Sequence, residues 1–226
     1  WMVVLDSSVG IDPFLNSLYL RALKTSCEAC GLAGDAEGAA RYDALIAKTE
    51  PAVRALLAKS PLKDRKSLYS HSTGIYEVIE SLFKEGDSAA ALALIRQRWG
   101  TLLSCGADTL FEGMYSDSMP QLAERHENNR LAHISFCHGW TAGPCSLLPA
   151  WIAGIRPLEP GFKRFTVAPD PVDLTWFKTA VPTPHGEIGL VFRNGTYTLS
   201  VPENTNAVFR LNGKETEFGS GVHTIR

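Results

Sequence analysis

Glu187-Ile188-Gly189-Leu190-Val191-Phe192-Arg193-Asn194-Gly195-Thr196-Tyr197-Thr198-Leu199-Ser200-Val201 is the stretch that decides how this chain is read. Ile188, Leu190 and Phe192 alternate with Glu187, Gly189 and Arg193, and Tyr197, Leu199 and Val201 alternate with Thr198 and Ser200. A period of two places one set of side chains on a buried face and the other in solvent. Asn194-Gly195 between the runs is a two-residue hairpin signal, because both residues tolerate the left-handed backbone that such a turn needs. Asn212-Gly213 repeats the signal downstream, and prolines at 169, 171, 182, 184 and 202 punctuate the rest. The expectation is a small antiparallel β-sandwich over 157–226, with the boundary at Arg156-Pro157.

Upstream of that boundary the period is helical. Leu15, Leu18 and Ala22 repeat at helical spacing, widened by Phe14, Tyr19 and Leu23. Gly31 and Gly34 are expected to end this helix, and Asp35 to cap the next. Tyr42, Leu45 and Ile46 mark the buried face of that second helix, and Pro51 is expected to kink it or to start a new one. A clearer pair follows. Ile75, Ile79, Leu82 and Phe83 form one stripe, and Leu92, Ile95, Trp99 and Leu102 form the next. Gly86-Asp87 between them reads as a stop followed by a cap, so the two helices form an antiparallel hairpin. Residues 105–137 are rich in Gly, Asp, Ser and Asn and read as a long loop, with a short helix near 120–130; a last helix is expected over 143–153. The fold class is therefore α+β: helical hairpins over 1–156, then the sandwich.

Composition sets bounds on function. Of the 226 residues, 45% are hydrophobic and 20% charged, so a packed core is expected, and the net charge of −2 gives no electrostatic basis for binding nucleic acid or anionic membranes. The longest apolar candidate, Leu147 to Ile155, is well short of the roughly 18 residues a membrane span needs. The opening, Trp1-Met2-Val3-Val4-Leu5-Asp6, carries no signal-peptide pattern and reads like the interior of a folded protein. The natural protein is therefore expected to extend upstream, and the compartment stays open. Five cysteines, an odd number, argue against a disulfide framework. Cys27-Glu28-Ala29-Cys30 has metal-ligand spacing, but no second such pair follows, so buried small helix residues are the better reading and no metal is expected.

Three segments carry the chemistry: Gly106 to Gly113 with Glu112, His138-Gly139-Trp140-Thr141-Ala142-Gly143-Pro144, and Gly154 to Phe162. A carboxylate beside aromatic rings can act as a general base, and a histidine next to a tryptophan offers a hydrogen-bonding ring and an apolar platform for a sugar. Each has an ordinary alternative as a solvated charge, a cap or a core residue. Glu77 and Glu80 flank the stripe of their helix and read as solvated, and His71 and His185 read as surface residues.

In this order, the three segments resemble the C-terminal portion of the inverting α-L-rhamnosidases and their bacterial relatives. Thr109-Leu110-Phe111-Glu112 is similar to that family's Thr-(aromatic or Leu)-aromatic-Glu motif, His138-Gly139-Trp140-Thr141 to its His-(Ala or Gly)-Trp-Ser helix start, and Gly154 to Phe162 to the segment that leads into its C-terminal β-sandwich. The resemblance extends over nearly the whole chain, including the hairpin Tyr76 to Trp99 and, more loosely, Trp1 to Asp6. It implies that 1–156 is the end of a six-hairpin α/α toroid whose pocket takes a terminal rhamnose. It assigns Glu112 as general base, and His138, Trp140, Trp1 and Asp6 as residues that approach the sugar. No organic cofactor is implied, because carboxylate chemistry needs none. The partners implied are a rhamnose-containing glycoside and the remainder of a catalytic domain.

The departures are specific. The family's general acid lies in an Asp/Arg-rich motif upstream of the segment Trp1 begins, and nothing here matches it. Ser7 replaces a usual aromatic, and Met114-Tyr115 stands where a tryptophan is usual soon after the base. The chain alone is expected to be inactive. The rival readings are a toroid hydrolase for another terminal sugar and a non-catalytic carbohydrate-binding fragment. The sandwich is expected to buttress the helical part without binding glycans, since Phe165, Trp176, Phe177, Tyr197 and Phe209 mostly fit alternation positions.

Overall fold

A computed structural model of the chain describes residues 13–59, 72–104, 106–112 and 135–226. It divides into two compact units, 1–69 and 70–226. Within the first, α1 (Pro13–Ala33) and α2 (Ala36–Lys59) form a helical hairpin. The chain reverses at Gly34, whose φ of 75° is open to glycine without a side-chain clash. Gly34 and Asp35 donate back to the carbonyls of Gly31 and Cys30, closing the helix end, and the Asp35 carboxylate caps α2 by accepting from Gly38 N–H at 2.9 Å. Gly31 lies inside the last turn of α1, so Gly34 alone ends it. Of the two expectations for Pro51, the start of a new helix is not met, because α2 runs through it. Leu23 and Val53 are buried, whereas Leu15, Tyr19 and Leu45 of the expected stripes remain largely exposed. A two-helix hairpin has one line of contact, and these stripes are wider than that line. Cys27 donates to the Ala39 carbonyl, and Cys30 lies beside Gly38, its thiol pushed up by burial and then by Asp35.

The second unit opens with α3 (Ser72–Lys84) and α4 (Ser88–Ser104). Ile75, Val78, Ile79 and Phe83 are buried on one helix and Ala91, Leu92, Ile95, Trp99 and Leu102 on the other, matching the stripes with Leu82 displaced to the flank. The reversal uses Gly86 at φ 83°, bonds from Gly86 and Asp87 to the carbonyls of Phe83 and Leu82, and a cap from Asp87 to Ala90 N–H at 3.0 Å. Glu77 and Glu80 correct the reading of a solvated face. Both are half-buried; Glu80 pairs with Lys84 at 3.0 Å, and one Glu77 carboxylate oxygen is fully enclosed.

Past the loop, a 3₁₀ turn (Gly139–Thr141) leads into α5 (Gly143–Leu147) and a π-helical turn (Leu148–Ile152). Pro149 has no N–H to donate, and the hydrogen bonding widens so that Ala153 N–H reaches Leu148 O at 3.1 Å. The expected last helix is thus present over its predicted span but changes pitch at its proline. The short helix expected near 120–130 lies outside the described residues.

Eight strands follow: β1 (Ile155–Pro157), β2 (Arg164–Val167), β3 (Trp176–Thr183), β4 (Gly186–Arg193), β5 (Thr196–Val201), β6 (Asn206–Leu211), β7 (Lys214–Phe218) and β8 (Gly221–Ile225). They form two sheets, ordered β1-β2-β6-β7 and β3-β4-β5-β8. Both Asn-Gly signals are two-residue hairpins with left-handed residues, joining Arg193 to Thr196 and Leu211 to Lys214. One pairing departs from an all-antiparallel sandwich. β2 and β6 are parallel, from Arg164↔Asn206 to Val167↔Phe209. Parallel neighbours need a long crossover, and β3, β4 and β5 of the other sheet supply it. Phe165, Val167, Ile188, Leu190, Tyr197, Leu199, Ala207 and Phe209 fill the space between the sheets. Trp176 does not join them: β3 alternates from an exposed Trp176 to a half-buried Phe177, and the indole is 61% exposed.

Helical segment and sandwich share this unit's core. Ala153 and Ile155 belong to the sandwich's buried cluster, Phe83 stacks on Trp151 with ring centroids 5.7 Å apart, and the Arg156 guanidinium lies 4.5 Å over the Trp151 ring. Arg96 of α4 holds Asp173 through two hydrogen bonds of 2.7 and 2.9 Å, which keep the Asp173 carboxyl below the usual carboxylate range. That tie is present above the ordinary carboxylate pKa and is lost as the pH falls through the lowered one. Between the two parts, Gly154 has φ 70°, and a Cβ there would lie 2.0 Å from Ala168 O. Gly154→Ala should therefore cost at least about 3 kcal/mol, from left-handed strain plus overpacking against backbone. Gly213→Ala, with φ 74° but open space, should cost only about 1 kcal/mol. Denaturant unfolding of both variants checks this; equal losses would contradict the account of the junction.

Candidate active site

Past the end of α4 at Ser104, Gly106 and Ala107 donate back to the carbonyls of Leu103 and Leu102, and the chain enters the first of the three segments. Residues 109–112 then run alongside 135–138. Glu112 N–H donates to Ser135 O at 2.8 Å, His138 N–H donates to Leu110 O at 2.7 Å, and the Thr109 hydroxyl donates to the Phe136 carbonyl. Phe111 meets Phe136 edge-on at 4.9 Å. These bonds bring two segments distant in sequence into one ribbon and put Glu112 beside His138.

The carboxylate is held by more than its backbone. Ser135 N–H donates to Glu112 Oε2 at 3.0 Å, and His138 Nδ1 lies 3.8 Å from the same oxygen. Among the described residues Oε1 has no hydrogen-bond partner, and the side chain is 33% exposed against 18% for His138. One oxygen is thus oriented by the backbone of Ser135, and the side chain is partly exposed. The His138 ring meets Trp140 edge-on at 4.5 Å, and Trp140 is 45% exposed. A carboxylate, an imidazole and a partly exposed indole thus follow one another.

The floor beneath them is buried. Thr141 is fully enclosed, its hydroxyl donates to His138 O at 2.8 Å, and its own carbonyl accepts from the Trp99 indole N–H at 2.7 Å. Tyr76 of α3 packs against Gly143, where a Cβ would lie 3.2 Å from its ring. So the turn that carries His138 and Trp140 is fixed to the α3–α4 hairpin. In the sequence Trp99 stands out only as an apolar stripe residue. A buried tryptophan needs a partner for its N–H, which was the available signal. Ser135 carried none, because it acts through its backbone.

Glu112, His138 and Trp140 are brought together; Trp1 and Asp6 lie outside the described residues. Among the described residues no cluster of three or more His, Cys, Asp or Glu is placed to hold a metal ion, and no helix is long and apolar enough to cross a membrane.

Residues 154–226 match the family described as bacterial alpha-L-rhamnosidase C-terminal domain. The chain as a whole is similar to the native alfa-L-rhamnosidase of Aspergillus terreus, at 22% identity and a TM-score of 0.68, over 91% of this chain and 29% of that one. It is also similar to the Streptomyces avermitilis alpha-L-rhamnosidase complexed with L-rhamnose (24% identity, TM-score 0.54, 81% of this chain and 20% of that one). A third likeness is the GH78 family rhamnosidase of Bacillus sp. GL1 (22% identity, TM-score 0.56, 80% of this chain and 23% of that one). At these identities the likenesses establish the fold, and the chain spans less than a third of the length of each enzyme. No curated protein sequence matches the chain.

Trp99→Phe keeps the ring in its buried stripe but removes the donor to Thr141 O. The unpaired carbonyl should cost about 1–3 kcal/mol, read by denaturant unfolding. Unchanged stability would show that α4 does not hold the His138 turn in this way.

Proposed function

We propose that this chain, whose residues 154–226 match the bacterial alpha-L-rhamnosidase C-terminal domain, is part of an α-L-rhamnosidase and supplies the base half of an inverting rhamnoside hydrolase. The likeness to rhamnosidases supports the glycosidase class, and the geometry at Glu112 supports the roles of the single residues. Residues up to about 156 are the closing part of an α/α toroid, and 157–226 the sandwich that buttresses it. A likeness spanning 91% of the chain to the Aspergillus terreus enzyme supports that division.

Inverting hydrolysis needs two carboxyl groups on opposite faces of the scissile bond, about 6.5–9.5 Å apart, with a water between the base and the sugar. Glu112 is the base. The observation that carries this is the divided carboxylate: Oε2 is fixed by Ser135 N–H and neighboured by His138, while Oε1 is free among the described residues to take a proton from water. His138 donates to sugar hydroxyls, and Trp140 offers its face to the apolar side of the ring. The acid that protonates the leaving oxygen comes from a part of the catalytic domain outside these 226 residues, so the isolated chain binds without turning over. The substrate is a glycoside with a terminal α-L-rhamnose.

In the complete enzyme, Glu112→Gln should preserve binding and lower kcat by roughly 10²–10⁴-fold, because shape and hydrogen bonding remain while the basic oxygen is lost. His138→Ala should act mainly on KM. Near-normal turnover of Glu112→Gln removes the base assignment, and robust rhamnosidase activity of the isolated chain removes the divided acid–base pair.

A further inference from the structure

Trp176 starts β3, at the edge of its sheet, on the face turned away from the core. An indole buries 150–250 Å² where it is packed, so leaving it 61% exposed forgoes much of its hydrophobic contribution. Alternation alone requires only that this position be polar or small, as at Lys178 and Ala180 on the same face. A shallow groove lies against the ring, lined by Thr175, Trp176, Arg193 and Asn194.

Its walls are fixed from three sides. Trp176 is in register with Arg193 across the β3–β4 ladder, and Asn194 N–H donates to Thr175 O at 2.9 Å, closing the end of the ladder. Asn194 and Gly195 form the tight turn at φ 46° and 83°. Two residues before Thr175, Asp173 is tied to Arg96 of α4. The backbone on both sides of the indole is therefore held. The functional groups are not used up. Among the described residues the side chains of Thr175, Arg193 and Asn194 make no hydrogen bond or ion pair, so a guanidinium, an amide and a hydroxyl stand free around an open aromatic face.

We propose that this groove is a second saccharide-binding site, on the β-sandwich, that takes one pyranose unit of a glycan. The apolar C–H face of a pyranose lies on the indole, while its hydroxyls accept from Arg193 and exchange hydrogen bonds with Asn194 and Thr175. Four lining residues suit one sugar unit and fall far short of the roughly 800 Å² per partner of a stable protein interface. The proposal reverses, at this one position, the expectation that the sandwich takes no glycan. It does not depend on Glu112 being the base.

The test uses the 226-residue chain and two probes, a neutral rhamnose-terminated oligosaccharide and the same chain carrying a uronic acid. In ¹H–¹⁵N spectra the Trp176 indole signal is assigned by its loss in Trp176→Phe. Saturable movement of that signal by either probe is expected; preference for the uronate would add a carboxylate contact to Arg193. Trp176→Ala should weaken this binding on the order of tenfold, read from the backbone amide of Asn194 beside the groove, and Arg193→Ala should weaken it with the indole signal still present to report. The signal read is that of the Trp176 indole, so binding at Glu112 and His138 does not contribute to it, which separates this site from the catalytic reading. The proposal is overturned if neither probe moves the Trp176 signal, if Trp176→Ala and Arg193→Ala bind as the parent does, or if the indole is shielded from a soluble quencher in the longer protein.

Discussion

The second unit depends on a backbone crossing that only glycine permits. At Gly154 the chain leaves its last helical turn with a left-handed φ and passes against the backbone of Ala168, with no room for even one carbon. That crossing lets Ala153 and Ile155, on either side, enter the sandwich core together, with Trp151 stacked on Phe83 of the hairpin and Arg156 over the Trp151 ring. Helices and strands are thereby joined by a shared apolar interior. The surface pair Arg96–Asp173 contributes direction more than free energy, since exposed ion pairs are worth little.

From that junction, rigidity passes to the site. α5 and its π turn are set by the crossing on one side and by Tyr76 and Trp99 on the other, so the turn before α5 has little freedom. His138 and Trp140 sit on that turn. Glu112 reaches them from the end of α4 through paired backbone bonds with residues 135–138. The carboxylate and imidazole are thus aligned by main-chain hydrogen bonds and a buried indole, and the side chains stay available for a ligand.

Much of this was legible in the sequence because the signals were local. Alternation at 188–201 with Asn-Gly turns fixed the register, and the stripes of α3 and α4 with Gly86-Asp87 fixed a hairpin. Three features were not legible, each for a non-local reason. The parallel β2–β6 pair joins residues some forty positions apart across the other sheet, and no local pattern encodes it. Glu77 and Glu80 sit one step from the apolar stripe, where burial is decided by what packs alongside. At the candidate site, Glu112, His138 and Trp140 stand in motifs visible in the sequence, whereas Ser135 acts through an N–H that every non-proline residue possesses. Trp176 shows the limit of alternation: it states which face a residue occupies and is silent on why a large ring should occupy the wet one.

The base role proposed for Glu112, activation of the nucleophile on the face opposite the leaving group, is tested by azide rescue of Glu112→Gly in the complete enzyme, using an activated aryl α-L-rhamnoside. Azide is already nucleophilic and needs no base, so the account predicts restored turnover and a rhamnosyl azide of inverted, β configuration. A rescued product of retained α configuration, or a Glu112→Gly enzyme that hydrolyses the substrate without azide as the parent does, would contradict it.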